Sequence, residues 1–241
     1  MMTQIFLVTG ASKGIGFETA RQLIAKGHEV IVGARTLDKA KAAALKLGPK
    51  AIPFKLDVTK AEDRQEVVKF ISEKWKKLDG LINNAGIFLE KDFGVSNADT
   101  VEMSILKDTF ESNFFGLIEL TQKCIPLLKK ADVGRIVNVT SILGSLNLHA
   151  DKTSPIFSSK SLAYNSSKTA LNAFTVHLAH ALMETNIKVN SVHPGWVKTD
   201  MGGEMAPMQV SEGAKTSIEM ALLDRKGPTG KYVHLGESLP W

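Results

Sequence analysis

A doubly wound α/β fold built on a parallel sheet of seven strands follows from three observations. Short apolar runs alternate with longer amphipathic segments, the first run ends in a glycine turn that opens a helix, and no repeat or composition break divides the chain. Parallel strands are covered by helices on both faces, which explains why runs such as Ile5–Val8 and Val30–Val32 are apolar throughout rather than alternating. The 241 residues are enough for one core, so the chain is predicted as a single domain over 1–241.

Gln4–Thr9 is predicted as the first strand and Gly14–Lys26 as the helix after it. Glu29–Gly33, Ala51–Leu56 and Leu81–Asn83 follow as strands, separated by helices at Leu37–Lys46 and Thr59–Lys77. Thr59 and Glu62 have capping-box spacing at the start of the latter. A polar stretch without periodicity runs from Lys91 to Asp99, before a long helix over Lys107–Lys129 that Pro126 bends or breaks near its end. Arg135–Val139 is the fifth strand, and a serine-rich connector occupies 146–161. A helix at Leu162–Glu184, a strand at Lys188–Val192, a helix at Ser211–Leu223 and a short strand at Lys231–Leu235 complete the pattern.

Composition excludes several classes of function. With 44% apolar and 23% charged residues the chain has the make-up of a soluble globular protein, and its apolar runs are too short to span a bilayer. No charged leader precedes the first strand, which predicts a cytoplasmic protein. The formal charge of +5 is scattered, without the basic stripe and stacking aromatics that nucleic-acid binding needs. Cys124, the one cysteine, lies in an apolar stretch and reads as a buried thiol in a reducing compartment. His177 and His180 share a helix face but lack a third ligand, so no metal site is predicted.

The segment Thr9-Gly10-Ala11-Ser12-Lys13-Gly14-Ile15-Gly16 stands between strand and helix. Gly10 permits a turn that a side chain would crowd, Gly14 allows backbone to approach a ligand, and Gly16 permits close packing. The unpaired N–H groups of the new helix then face phosphate, the arrangement of a Rossmann-type dinucleotide site. The second strand ends in Gly33-Ala34-Arg35, with no acidic residue to bind both ribose hydroxyls. Arg35 and Lys13 instead offer cations to a 2′-phosphate, which favours NADP(H). Asp57, after the third strand, is a candidate acceptor for adenine or a simple cap.

Ser141 follows the fifth strand, and Tyr164 and Lys168 occupy positions i and i+4 of the next long helix, on one face. A tyrosine with a free pKa of about 10 is a poor acid or base at neutral pH, and a neighbouring ammonium stabilises its phenolate. Ser141 can hold a carbonyl oxygen while the proton moves.

Together, Thr9–Gly16, Asn83-Asn84-Ala85-Gly86, Asn113, Ser141, Tyr164-Asn165-Ser166-Ser167-Lys168 and Pro194-Gly195 resemble the short-chain dehydrogenase/reductase family, in its order and over most of the chain. The resemblance implies NAD(H) or NADP(H) across the carboxyl edge of the sheet, with Ser141 orienting the reacting oxygen and Tyr164 as acid/base. It assigns Lys168 to lowering the tyrosine pKa and binding the nicotinamide ribose, and Asn113 to holding a water in a proton relay. It puts Ser12, Ile15, Val58, Asn84, Ala85, Gly86, Pro194, Gly195 and Val197 along the cofactor, and Thr199 at the nicotinamide carboxamide. Members with basic residues matching Lys13 and Arg35 usually prefer NADP(H), in agreement with the charge argument. The implied activity is reduction of aldehydes or ketones. The same residues also suit an alcohol or steroid-type dehydrogenase running oxidatively, and a dinucleotide sensor without turnover is the non-enzymatic alternative.

The connector between Ser141 and Tyr164 is longer than in compact members of that family, with the extra residues assigned to a loop at 147–161. That loop, together with the ending Gly227-Pro228-Thr229-Gly230-Lys231-Tyr232, resembles the monomeric carbonyl reductases and implies a monomer. The substrate wall is expected from Ile142–Leu148, the loop and 196–208, with Ile142, Leu143, Trp196, Met201 and Met205 touching a small carbonyl compound and Met208 adding to the same apolar surface. His149 is a further candidate for substrate contact, and His193 for shaping the cofactor end.

Overall fold

The computed structural model describes residues 3–91 and 97–241. Residues 92–96, within the polar stretch expected at Lys91–Asp99, lie outside the described residues. The strands are β1 (Ile5–Val8), β2 (Glu29–Ala34), β3 (Ala51–Lys55), β4 (Gly80–Asn83), β5 (Gly134–Val139), β6 (Ile187–Val192), β7 (Lys231–His234) and β8 (Glu237–Ser238). They form one sheet in the order β3-β2-β1-β4-β5-β6-β7-β8. All neighbours are parallel except the β7–β8 pair. Among the described residues the sheet thus has eight strands rather than the seven expected. β8 is a two-residue return after Leu235 and Gly236, both at positive φ, and is too short to carry a pattern in sequence.

The helices are α1 (Gly14–Ala25), α2 (Leu37–Leu47), α3 (Ala61–Lys74), α4 (Met103–Phe110), α5 (Gly116–Leu128), α6 (Leu146–Ala150), α7 (Leu162–Ala181), α8 (Val210–Gly213) and α9 (Lys215–Ala221). Alternation along β1 splits the core into two layers. Ile5 and Leu7 join Val67, Ile71, Leu117, Leu120, Leu171 and Leu178 from α3, α5 and α7. Phe6 and Val8 join Ala20, Leu23, Ala43, Ala44, Ile218 and Ala221 from α1, α2 and α9. Both faces of the sheet are therefore dry, as the uniformly apolar strands require.

Four local readings are corrected. The capping box at Thr59 and Glu62 does not form: α3 starts at Ala61, and Thr59 gives its N–H and hydroxyl to Asp57 Oδ1 at 3.0 and 2.8 Å. The long helix over Lys107–Lys129 is α4, a π-helical turn at Glu111–Phe115, and α5, which runs through Pro126 to Leu128. The connector at 147–161 is partly helical. Ser145 caps α6 by accepting Leu148 N–H at 3.2 Å, a cap hidden in a run already rich in serine. The helix expected at Ser211–Leu223 is two, α8 and α9.

A polar ladder crosses the interior. Asn83 Nδ2 donates to Thr121 Oγ1 and to Asn138 Oδ1, both at 2.8 Å. Asn138 Nδ2 and Ser191 Oγ both donate to Thr175 Oγ1, again at 2.8 Å. All five residues are fully buried, so each bond offsets a desolvation cost that would otherwise stand. The ladder ties β4, β5 and β6 to α5 and α7 with a register that apolar packing alone would leave loose. Thr175→Val, nearly isosteric, should strand Asn138 and Ser191 and lower unfolding stability by about 1–3 kcal/mol. A denaturant midpoint unmoved from wild type, at the same m value, would refute this role.

Candidate active site

The sheet order reverses between β1, whose other neighbour is β2, and β4, opening a crevice at their carboxyl ends. The glycine turn fills it. Gly10 and Gly14 have φ of 63° and 58°, conformations that side chains rarely adopt. A Cβ on Gly16 would stand 2.4 Å from Asn84 Nδ2 and 2.6 Å from Gly10 O, so the turn accepts no larger residue there. Asn84 Nδ2 donates to Thr9 O and Gly10 O, while Thr9 Oγ1 accepts from Asn84 N and Ala85 N. Ser12 and Ile15 are half-buried at the start of α1, whose N-cap residue Lys13 makes no side-chain cap. The first N–H groups of α1 are therefore open to an anion.

Arg35 is exposed beyond β2 and, among the described residues, has no ion-pair partner. Lys13 is also exposed, but its ammonium pairs with Asp200. Thr199 lies against Gly14, so the 196–208 segment borders the glycine turn. Thr199 Oγ1 is engaged within that segment, donating to Val197 O and accepting Gly202 N–H. Val197 bridges to Met208, and Met208 Sδ packs under Gly195, beside buried Pro194. Asp57 closes the turn with Thr59 through Oδ1. Val58 is buried, its carbonyl accepting from Arg64 Nη1 at 2.5 Å.

Beside this edge the structure gathers Ser141, just past β5, with Tyr164 and Lys168 from the first turns of α7. Lys168 is 4% exposed, and its Nζ donates to Val139 O at 3.0 Å and stands 5.6 Å from the Tyr164 ring centroid. Burial pushes the Tyr164 hydroxyl up to about 12, against a hydrogen bond with Ser141 that pulls it down. Burial likewise pushes Lys168 down to about 8. In this arrangement desolvation governs the tyrosine, and the neighbouring ammonium does not offset it.

Asn113 comes from the π turn, which carries its side chain inward. Asn113 Oδ1 accepts Ile87 N–H at 2.8 Å, while Nδ2 donates to Ile87 O at 2.9 Å and to Ser167 Oγ at 3.1 Å. The carboxamide thus pairs with both polar groups of Ile87 and ties the segment after β4 to α7. A Cβ on Gly86 would sit 3.4 Å from both Asn113 Oδ1 and Lys168 Nζ, so these three positions share one corner of the site.

The apolar wall around Tyr164 consists of Leu143 and Ile156, with Phe88, Ile142 and Leu148 packed on them. The Phe88 and Tyr164 rings meet edge to face at 5.5 Å. Trp196, Met201 and Met205 are exposed on 196–208 and do not join this cluster, Met205 at 85% exposure. His149 packs its ring nitrogens on the protein, with Nε2 against Leu143 O and Nδ1 against Lys160 Nζ. Two residues that sequence reading missed cap α7. Glu90 accepts Ala163 and Tyr164 N–H at 3.1 and 3.0 Å, and Asn97 accepts Leu162 N–H at 3.0 Å. Their distance from α7 along the chain leaves no local signal.

Cys124 is fully buried in the core, and burial pushes its thiol up to about 12. His177 and His180 are exposed, and among the described residues no group of three His, Cys, Asp or Glu could hold a metal ion. No helix among them is long and apolar enough to cross a membrane.

A family model described as short chain dehydrogenase matches residues 4–210. The chain is 36% identical over 227 residues to short-chain dehydrogenase anuI of Penicillium roqueforti (strain FM164), covering 90% of this chain and 88% of that one. It is 30% identical to carbonyl reductase (NADPH) 1 of Mus musculus, with 98% of each chain covered. The crystal structure of NADPH-bound carbonyl reductase from chicken fatty liver superposes with a TM-score of 0.84 at 27% identity, over the whole of both chains.

Tyr164 and Tyr232 are the chain's only tyrosines, and burial raises both. A raised folded-state pKa stabilises the protonated form. That contribution is complete below the unfolded value of about 10 and is lost as pH climbs through the folded values, at about 12 and beyond. Phenolate absorbance should therefore stay flat through pH 10 and rise only together with alkaline unfolding. A midpoint near 10 in the folded protein would contradict the burial of Tyr164.

Proposed function

This chain belongs to the short-chain dehydrogenase family, and on that premise we propose that it reduces aldehydes or ketones to alcohols with NADPH, Tyr164 serving as proton donor. The observation that carries the proposal is the convergence of half-buried Ser141 with buried Tyr164 and Lys168 beside the glycine turn. A sensor would have no use for a desolvated tyrosine and lysine at a serine hydroxyl.

The residues present fit the cofactor. The positive-φ glycines, the uncapped start of α1 and the space that a Cβ at Gly16 would fill make a cradle for a pyrophosphate. Arg35 and Lys13 would hold the 2′-phosphate, and Lys168 the nicotinamide ribose. When bound, NADPH supplies the hydride.

The protein's own groups handle the proton and the oxygen. Ser141 orients the substrate carbonyl toward Tyr164, whose hydroxyl passes its proton to that oxygen as negative charge develops there. Tyr164 is protonated at neutral pH, as a donor to the carbonyl oxygen must be. The phenolate that forms lies near Lys168, where a positive charge stabilises it. Leu143, Ile156, Leu148 and Phe88 exclude water from the transfer and suit a neutral, apolar carbonyl compound.

Tyr164→Phe should retain NADPH affinity and lose about 100-fold or more of carbonyl reduction, as removal of a general acid costs. Near-wild-type turnover in that variant would eliminate the proposed donor. Arg35→Asp should reduce NADPH efficiency by about 10–100-fold while sparing NADH, the scale of a lost hydrogen bond to a charged group. Wild-type kcat/KM values equal for NADH and NADPH would defeat the cofactor assignment.

A further inference from the structure

The peptide group joining Ser141 to Ile142 lies just beyond the last ladder bond of β5, where Thr140 N–H reaches Val192 O at 2.8 Å. A peptide at the rim of a cleft would ordinarily be satisfied by water. Here both of its edges are taken by buried side chains from elsewhere in the fold. The Ile142 N–H donates to His193 Nδ1 at 3.1 Å, and the Ser141 carbonyl accepts from Tyr232 OH at 2.5 Å and from Gly144 N–H at 2.8 Å. His193 and Tyr232 are 8% and 2% exposed.

Each side chain is itself immobilised. The His193 ring packs on His234 at 4.7 Å, and His193 O meets His234 Nδ1 at 2.8 Å. The Tyr232 ring stacks on Trp241 at 5.4 Å, and Trp241 O accepts from Ser145 Oγ and Asn147 N–H. Accepting at Nδ1 requires the neutral ring protonated on Nε2. Burial, helped by His234, holds His193 down to about 3, so the acceptor persists across the working pH range.

We propose that His193 and Tyr232 are positioning residues that clamp the Ser141–Ile142 peptide from its two edges and thereby aim the Ser141 hydroxyl at the substrate oxygen. The proposal rests on the reductase reading above. With β5 fixed on one side of Ser141 and the clamped peptide on the other, its Cα–Cβ bond has a single direction. His193 Nδ1 also faces Gly195 N–H at 3.4 Å, so the same ring links the serine turn to the Pro194-Gly195 turn of the cofactor edge.

The test is single-turnover reduction of benzil, a neutral aromatic diketone, by NADPH-loaded protein, with NADPH affinity and melting temperature measured in parallel. His193→Leu should slow the reaction by about tenfold, and Tyr232→Phe, which keeps the stacked ring, by about threefold to tenfold, the kinetic equivalents of one hydrogen bond. His193→Asn, whose Oδ1 can accept where Nδ1 does, should recover most of the loss. In a Ser141→Ala background neither His193→Leu nor Tyr232→Phe should cost more than about twofold further, because their effect passes through the serine. Unchanged rates in both single variants, equal losses in His193→Asn and His193→Leu, or full additivity with Ser141→Ala would overturn the clamp. So would a loss confined to NADPH affinity, which would assign His193 to the cofactor turn alone. Wild-type rates in Ser141→Ala would remove the serine's role and the clamp with it, a pattern distinct from a failed clamp on a working serine.

Discussion

Asn84 reaches from the end of β4 to the carbonyl oxygens of Thr9 and Gly10 at 2.9 and 3.2 Å, and Thr9 Oγ1 answers by taking the N–H groups of Asn84 and Ala85. This seam joins two strands that are neighbours in the sheet but far apart in sequence. It is also what forbids a side chain on Gly16, since the Asn84 amide occupies that space. The seam sets where α1 begins and therefore where its unpaired N–H groups point. From the β4 side it fixes the start of the segment carrying Gly86, Ile87 and Phe88, whose other contacts are Asn113, Lys168 and Tyr164. One set of four hydrogen bonds thus relates the glycine turn to the cluster of Ser141, Tyr164 and Lys168.

The reactive end owes its electrostatics to burial more than to pairing. Lys168 is held by a single backbone carbonyl and lies over a ring rather than beside a carboxylate. Its charge is correspondingly expensive, which is why its pKa falls to about 8 while that of Tyr164 rises to about 12. Two groups whose ordinary values nearly coincide are driven apart by the same dry environment. Both groups are thereby biased toward their neutral forms, the tyrosine fully and the lysine part of the way.

Much of this was legible in the sequence. The parallel sheet could be read from β1 through β7 because doubly buried strands must be apolar, and the glycine turn because Gly10, Gly14 and Gly16 answer separate steric demands. That Tyr164 and Lys168 share a face could be read from their i, i+4 spacing, and the fold brings Ser141 to them. What escaped reading acts across distance. Glu90 and Asn97 cap α7 from a segment after β4, Tyr232 and His193 (the latter read only as shaping the cofactor end) hold a peptide after β5, and Phe88 meets Tyr164 only in the folded chain. Such partners carry no local periodicity. The capping box at Thr59 failed for a related reason: Asp57 offered Thr59 a nearer partner than the helix did.

The π turn at Glu111–Phe115 amounts to one residue more than an α-helix would need between α4 and α5. Excising a residue there would restore regular hydrogen bonding and, judged locally, a better helix. It would also rotate everything on one side of the cut by about 100° relative to the other, turning Asn113 away from Ile87 or α5 away from the core. The extra residue therefore cannot drift out of the chain by small steps, because every shorter version loses either the carboxamide's grip on Ile87 or the seating of Leu117 and Leu120. A local irregularity is in this sense a register lock, and it makes the length of this stretch, more than its composition, the quantity the site constrains.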